Sequence, residues 1–325
     1  MTEPYNDALL ALVAAARTGR PRAVARLISA VENDSYALRP LMAALAPDTG
    51  RAHVIGLTGA PGVGKSTTTA ALIAAYRARG ATVGVLAFDP SSPFTGGALL
   101  GDRVRMQQHA LDGGVFIRSM ASRGHLGGLS VAAPQALRVF DAAGCDVVLV
   151  ETVGVGQSEV EVAGAADSTV VLLAPGMGDG IQAAKAGVLE IGDVFVVNKA
   201  DRDGTQALVR ELRTMIAMAD RDPAEWKPPI VRTVAVRNEG IDELVATLDK
   251  HRAHTEADGS WQQRRLERAR TEVEALAVAF LQRQIQNRRG AVLDELAAAV
   301  RDGRLDAFSA ADRVIAALGG SDSGA

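Results

Sequence analysis

Short apolar runs alternate along this chain with longer amphipathic stretches. The runs at 54–58, 82–88, 115–118, 146–151, 168–174, 194–197 and 230–236 are almost continuously hydrophobic, and each gives way to a polar or glycine-rich loop. Runs of that length and continuity predict strands buried on both faces. Residues 67–76 and 131–143 carry helix-compatible sequence between them. Strand and helix in alternation predict an α/β fold with a mostly parallel sheet flanked by helices. The two ends read differently. From 7 to about 45, apolar residues recur at helical spacing (Leu9, Leu12, Val13, Ala16, then Val24, Leu27, Ile28, Val31). The break at Thr18-Gly19-Arg20-Pro21 divides two helices. Pro40 is expected to open a third short helix or to sit in a turn. From Ser260 a charged stretch carries an apolar stripe (Leu266, Val273, Leu276, Ala277, Phe280, Leu281, Ile285) as far as Asn287-Arg288-Arg289-Gly290. Shorter helices are expected at 292–300 and 309–318. The expected divisions are an N-terminal helical extension at 1–50, a central α/β domain at 51–256, a C-terminal helical arm at 257–318 and a disordered tail at 319–325. The apolar stripe can pack on its own domain or form a dimer seam, and the dimer is the reading taken.

Composition narrows the function. Of 325 residues, 48% are hydrophobic and 22% charged, which is ordinary for a globular chain. A net charge of −3 gives no bulk attraction to nucleic acid, and at 4% aromatic residues stacking platforms for single strands are scarce. The one cysteine, Cys145, reads as a small core residue before a strand, and it cannot form an intramolecular disulfide. With no leader peptide or apolar run of spanning length recognised, a cytoplasmic protein without a membrane partner is expected. The five histidines are scattered and form no expected metal cluster. His251 and His254 are expected on a solvated helix face.

The chemistry begins at Gly59-Ala60-Pro61-Gly62-Val63-Gly64-Lys65-Ser66, which fits G-x-x-x-x-G-K-[ST] between a strand and a helix that starts near Thr67. Glycines let backbone N–H groups converge on a phosphate, and the helix N-terminus adds partial positive charge. Lys65 is placed to reach the outer phosphates and the Ser66 hydroxyl to hold Mg²⁺. The strand at 82–88 runs into Asp89-Pro90, and a glycine-rich loop carries on to Asp102. This segment is expected to move with nucleotide state, against the plainer reading of a solvated loop with capping aspartates. The strand at 146–151 ends in Glu151, the position of a second magnesium-side acid. The length of its side chain leaves direct ligation, contact through a water, or contact with the attacking water all open. Gly154 is spaced to bring its amide to a γ-phosphate.

The strand at 194–197 delivers Asn198-Lys199-Ala200-Asp201. An aspartate there accepts from N1–H and the 2-amino group of guanine, a donor pair that adenine lacks. GTP and GDP are therefore the expected nucleotides. Asn198 is expected to bind the base edge and tie this loop to the phosphate loop, and Lys199 to cover the ring. Val234-Ala235-Val236 lies where a backbone amide can meet the guanine oxygen.

Together these motifs resemble the MeaB/ArgK GTPases, chaperones associated with methylmalonyl-CoA mutase. The resemblance rests on Gly59 to Ser66, Asp89-Pro90-Ser91-Ser92, Gly101-Asp102-Arg103, Glu151-Thr152-Val153-Gly154-Val155-Gly156-Gln157, Pro175-Gly176-Met177-Gly178-Asp179 and Asn198 to Asp201. It implies a homodimeric P-loop G protein whose GTP state gates adenosylcobalamin delivery to a cobalamin-dependent acyl-CoA mutase and protects that mutase. It implies that Asp89, Asp102 and Glu151 work with Ser66 around Mg²⁺ and the γ-phosphate, and that Gln157 lies in a second switch loop. Lys185 is implied to lie in a loop that communicates with the mutase. At the base-binding turn the family usually has Ser-Ala and this chain has Val234-Ala235, so only a backbone role carries over. The alternatives are a kinase or ATPase linked to amino-acid transport, a metallochaperone GTPase, and a non-catalytic nucleotide-binding scaffold.

Overall fold

The computed structural model describes residues 3–33, 35–90, 109, 111–122, 132–152, 164–176, 189–218, 225–287 and 291–319. Asp102, Gly154, Gln157, Lys185, the side chain of Asp89 and the tail beyond Gly319 lie outside them. The chain divides into two compact units, residues 1–266 and 267–325.

The first unit is built on seven strands: β1 (His53–Thr58), β2 (Val83–Pro90), β3 (Val115–Ser122), β4 (Val147–Glu151), β5 (Ser168–Leu173), β6 (Val194–Val197) and β7 (Ile230–Arg232). They lie in the order β3-β2-β4-β1-β5-β6-β7, and every pairing is parallel. Alternate residues face opposite layers, as the pleat requires. Val147 and Leu149 join Leu72 and Leu244 on one face, while Val148 and Val150 join Leu27 and Phe140 on the other. The first face is covered by α4 (Lys65–Ala78) and α7 (Ile241–Asp258). The second is covered by α1 (Glu3–Arg17), α2 (Pro21–Asn33), α3 (Ser35–Leu45), α5 (Ala132–Ala142) and α6 (Thr205–Met218). The N-terminal helices thus form part of the layer over the sheet, with Leu9, Val13, Leu27, Leu41 and Leu45 buried against α5 and the strands.

Three local expectations change. Pro40 lies inside α3, just past its first turn, and does not open the helix. β3 runs four residues further than its apolar stretch because the pairing with β2 continues to Pro90↔Ser122. β7 ends at Arg232 because Val234 bridges to Glu239 and Ala235–Arg237 turn as a 3₁₀ segment.

His251 is also corrected: it is fully buried, not solvated. Its position continues the Leu244, Leu248 stripe of α7 towards the sheet. Ser168 Oγ lies 2.7 Å from His251 Nδ1 and 2.8 Å from His53 Nε2, and His251 Nε2 is 3.2 Å from Asp193 Oδ1. One proton arrangement serves the whole chain: His251 Nε2–H faces the carboxylate, Ser168 donates to Nδ1, and His53 donates to Ser168. Arg264 pairs with Asp193 at 3.0 Å and Arg265 with Asp167 at 2.8 Å, while Arg265 lies 4.4 Å over the Trp261 ring. These contacts tie the first turns of α8 (Ser260–Asn287) to the N-terminal edge of the sheet.

Burial pushes the His53 pKa down from 6.5 to about 3; Asp167 opposes that shift, and Arg252, His251 and Arg265 add to it. Between those values the unfolded chain binds a proton that the native chain refuses, so stability rises with pH through this window. Thermal melts are expected to be level above pH 7 and to fall progressively towards pH 4. The His53→Gln variant is expected to have a shallower slope, and an identical slope would rule out His53 as the source.

The second unit holds the rest of α8, then α9 (Ala291–Arg301) packed on α10 (Ala307–Gly319). Among the described residues no helix is long and apolar enough to cross a membrane.

Candidate nucleotide site

Strand ends bring the site together. Parallel pairing sets β1, β4, β5 and β6 with their C-terminal ends along one edge, with Leu57 in register with Glu151 and Leu173 with Val197. Such an edge is where open parallel sheets place ligands. The loop from Gly59 to Gly64 leaves β1 there and turns into α4. Gly64 caps the helix at φ 101°, a conformation that L side chains rarely adopt, and a Cβ there would stand 2.3 Å from Asn198 Nδ2. Gly59 is equally constrained, since a Cβ would meet the Leu172 carbonyl oxygen at 2.3 Å. Glycine is therefore required at Gly59 by the close approach of the Leu172 backbone, and at Gly64 by the positive φ together with the Asn198 side-chain amide. The cradle they leave, at the N-terminus of a 14-residue helix, suits a phosphate.

Lys65 is 7% exposed, and its Nζ donates to the carbonyl oxygens of Gly59 at 2.6 Å and Ala60 at 3.3 Å, so the ammonium spans the loop. Behind it, Ser66 Oγ donates to Glu151 Oε1 at 2.6 Å. Thr69 Oγ1, one turn further along α4, lies 3.1 Å from Glu151 Oε2 and 3.0 Å from the Lys65 carbonyl. Glu151 is only 2% exposed, so this carboxyl group lies buried against hydroxyls of the helix that carries the phosphate loop. Thr69 went unnoticed in the sequence; its signal was its i+3 spacing from Ser66, which places both hydroxyls on one helix face.

The N-K-x-D segment closes the other side. Asn198 is buried; its Nδ2 donates to the Val63 carbonyl at 2.8 Å, and its Oδ1 accepts from Thr233 Oγ1 and from the Ala235 amide, both at 3.1 Å. This side chain joins three segments: the phosphate loop, the end of β6 and the turn after β7. Lys199, at φ 56°, donates from Nζ to the Gly62 carbonyl at 2.6 Å. Asp201 Oδ2 accepts from Arg237 Nη1 at 3.1 Å, and Arg237 also forks onto Glu239 at 2.7 and 3.2 Å. Arg237 holds the Glu239 carboxyl below its usual range. Of the turn 234–236, Ala235 gives its amide to Asn198 and Val234 gives its amide to the Glu239 carbonyl at 3.0 Å, while Val236 is exposed.

Lys65, Ser66 and Glu151 therefore meet at one end of this strand-end edge, and Asn198, Lys199, Asp201 and the 234–236 turn meet at the other, joined through Val63. A family model described as Methylmalonyl Co-A mutase-associated GTPase MeaB matches residues 24–289. The chain belongs to the MeaB GTPase family. A Pyrococcus abyssi relative carrying a GTPase name is 45% identical over 308 residues, covering 94% of this chain and 95% of its own. The GTPase ArgK of Escherichia coli is 40% identical over 249 residues, covering 74% and 75% respectively. A crystal structure titled LAO/AO transport system kinase aligns with a TM-score of 0.70 at 26% identity, covering 98% of this chain and 99% of that one. As a MeaB-family P-loop protein the chain is a GTPase, and GTP and GDP are its nucleotides.

Glu151→Gln keeps the side-chain volume and an acceptor for Ser66 while removing the charge. With Ser66 expected to hold the metal, GTP hydrolysis is expected to fall about 10- to 100-fold, as when a group behind such a ligand is altered. A higher magnesium requirement is expected to accompany the loss. Titrating magnesium in a phosphate-release assay reads both; an unshifted magnesium curve with full activity would remove Glu151 from the metal side.

Proposed function

We propose that this chain is a magnesium-dependent G-protein chaperone of a cobalamin-dependent acyl-CoA mutase, of the methylmalonyl-CoA mutase type. In this reading GTP hydrolysis times adenosylcobalamin loading and guards the mutase against inactivation. The observation that carries the partner is the match of 24–289 to a family named for its association with that mutase. The chemistry rests on the edge where the strands end. Ser66 would hold Mg²⁺ with Glu151 behind it, and the metal would neutralise charge on the β- and γ-phosphates. Two features fit that ion: a hydroxyl whose proton goes to a buried carboxylate keeps its oxygen lone pairs for a cation, and Glu151 supplies negative charge. Lys65 and the loop amides stabilise charge spreading over the transferring phosphoryl group, and water attacks in line. Asp201 reads the guanine edge, and the Val236 amide is the donor that the turn offers to the guanine oxygen.

A homodimer belongs to the same proposal. Val273, Leu276, Phe280 and Leu281 of α8 and Phe308 and Ile315 of α10 are exposed large hydrophobics, the kind of surface that a second copy covers. The whole reading is tested by mixing the purified protein with a cobalamin-dependent methylmalonyl-CoA mutase and following complex formation by size-exclusion chromatography with GDP or a non-hydrolysable GTP analogue. Nucleotide-dependent co-elution and slower mutase inactivation are expected. Absence of both, or transfer of the γ-phosphate to an acceptor in place of release as inorganic phosphate, would overturn it in favour of the kinase alternative.

A further inference from the structure

The turn after β7 grips the N-K-x-D segment at both ends. At one end the Ala235 amide holds Asn198 Oδ1 at 3.1 Å; in the middle the Ala200 amide donates to the Thr233 carbonyl at 3.0 Å; at the other end Arg237 Nη1 reaches Asp201 Oδ2 at 3.1 Å. The first two contacts belong to the main chain or to the asparagine hub. The third is a side-chain contact whose geometry is set from elsewhere. Glu239 takes the Nε and Nη2 edge of the guanidinium at 2.7 and 3.2 Å, which fixes the plane of the group and leaves Nη1 turned to Asp201. Glu239 is itself fixed, because its backbone exchanges hydrogen bonds with Val234 at 3.0 and 3.3 Å and Asn238 takes the left-handed conformation at φ 58° between them. Arg237 is thus a half-exposed arginine with a dictated orientation.

Resting on Asp201 as the base reader, we infer that Arg237 is a specificity-positioning residue: it fixes the plane of the Asp201 carboxylate so that both oxygens face the N1–H and 2-amino donors of guanine. The terminal torsion of an aspartate is broad, and an unheld carboxylate samples planes that present only one oxygen to a base. Accepting two donors on one base edge requires a single plane, and the Nη1 of a guanidinium already seated on Glu239 donates to Asp201 along one fixed direction, where a freely rotating ammonium would not. The Arg237 bond uses one lone pair of Oδ2 and leaves the other, together with Oδ1, for the base. As stabilisation of the fold this exposed pair counts for little, so its consequence falls on discrimination.

The test compares GDP with IDP, which keeps N1–H and lacks the 2-amino group. In Arg237→Ala the Kd for GDP is expected to rise about 5- to 10-fold while that for IDP changes less than twofold, so the preference for guanine shrinks. During turnover the loss is expected in KM for GTP rather than in kcat. Arg237→Lys keeps the charge without the fork and is expected to recover only part of the preference. Glu239→Gln, which loosens the seat of the guanidinium, is expected to move the GDP-to-IDP ratio in the same direction by a smaller amount. A merely structural role would weaken both nucleotides equally and leave the ratio alone, and that result in Arg237→Ala would overturn the inference. Asp201→Asn is measured beside them. If it exchanges GDP for XDP while Arg237→Ala keeps the wild-type ratio, the base-reading assignment stands and Arg237 has no part in it. If Asp201→Asn keeps its preference for GDP, both fail together.

Discussion

Lys65→Ala is expected to lose GTP hydrolysis by at least a hundredfold and to bind GDP more weakly, with the rest of the sheet unchanged. Lys65 opens α4, and its ammonium bridges two carbonyl oxygens of the phosphate loop at 2.6 and 3.3 Å, so it lies over the place where phosphate charge would collect. Its 7% exposure puts that positive charge in a site of low effective dielectric, where the attraction to a phosphate is far stronger than at the surface. Losing one preorganised electrostatic contact in such a site typically costs a factor of 10² to 10³ in kcat. The variant also loses the tie that holds the loop carbonyls, which adds to the effect on binding. Single-turnover phosphate release and a fluorescent-GDP titration measure the two parts. Turnover within a few-fold of wild type would mean that Gly59 to Ser66 is not the phosphate loop.

Asp201→Asn is expected to exchange GTP for XTP. Guanine presents two donors where xanthine presents N1–H and a carbonyl oxygen, and an asparagine amide offers the matching acceptor and donor. A site built to pair a polar edge strongly rejects a base that leaves a partner unpaired. Here the aspartate side chain is 41% exposed, so water relieves part of the mismatch and a preference change of about 10²-fold is expected rather than the larger factors of fully closed pockets. Competition of XTP and GTP against a labelled GDP reads the ratio for wild type and variant. Equal GTP affinity in the two proteins would place base recognition outside Asp201.

What the sequence disclosed, and what it did not, separates by the range of the interactions involved. The phosphate loop, Glu151 at the end of β4 and Asn198 at the end of β6 were legible because each is a local pattern: an apolar run, then a residue type that only one backbone geometry or one ligand rewards. The parallel sheet was legible from strand continuity, since both faces of every central strand are covered. Less legible were features made by distant segments. Ser168 lies between His53 and His251 across 115 and 83 residues, and no spacing rule announces that. The burial of His251 was partly available, because it extends the apolar stripe of α7 by one turn; reading histidine as polar hid it. Arg237 directly follows the 234–236 turn in the sequence, but its pairing with Asp201 depends on how β6 and β7 pair. Asp102, Gly154, Gln157 and Lys185 fall outside the described residues, and their roles stay expectations drawn from the sequence.

The strand order has a consequence for how the polypeptide is made. β1 occupies the middle of the sheet, yet its lateral neighbours β4 and β5 begin at Val147 and Ser168. During synthesis the hydrophobic segment of β1 therefore waits for about 90 further residues, roughly 5 to 20 s at ordinary elongation rates, before its first hydrogen-bonding neighbour exists. The preceding helices cannot shelter it fully, because α5, against which they pack, is translated within that same interval. The interval spent on the ribosome with an unpaired central strand is the most aggregation-exposed stage of its biogenesis. Slow codons placed between 59 and 146 are therefore expected to lower soluble yield more than the same codons placed after 232, as measured by the soluble fraction of the two recoded versions.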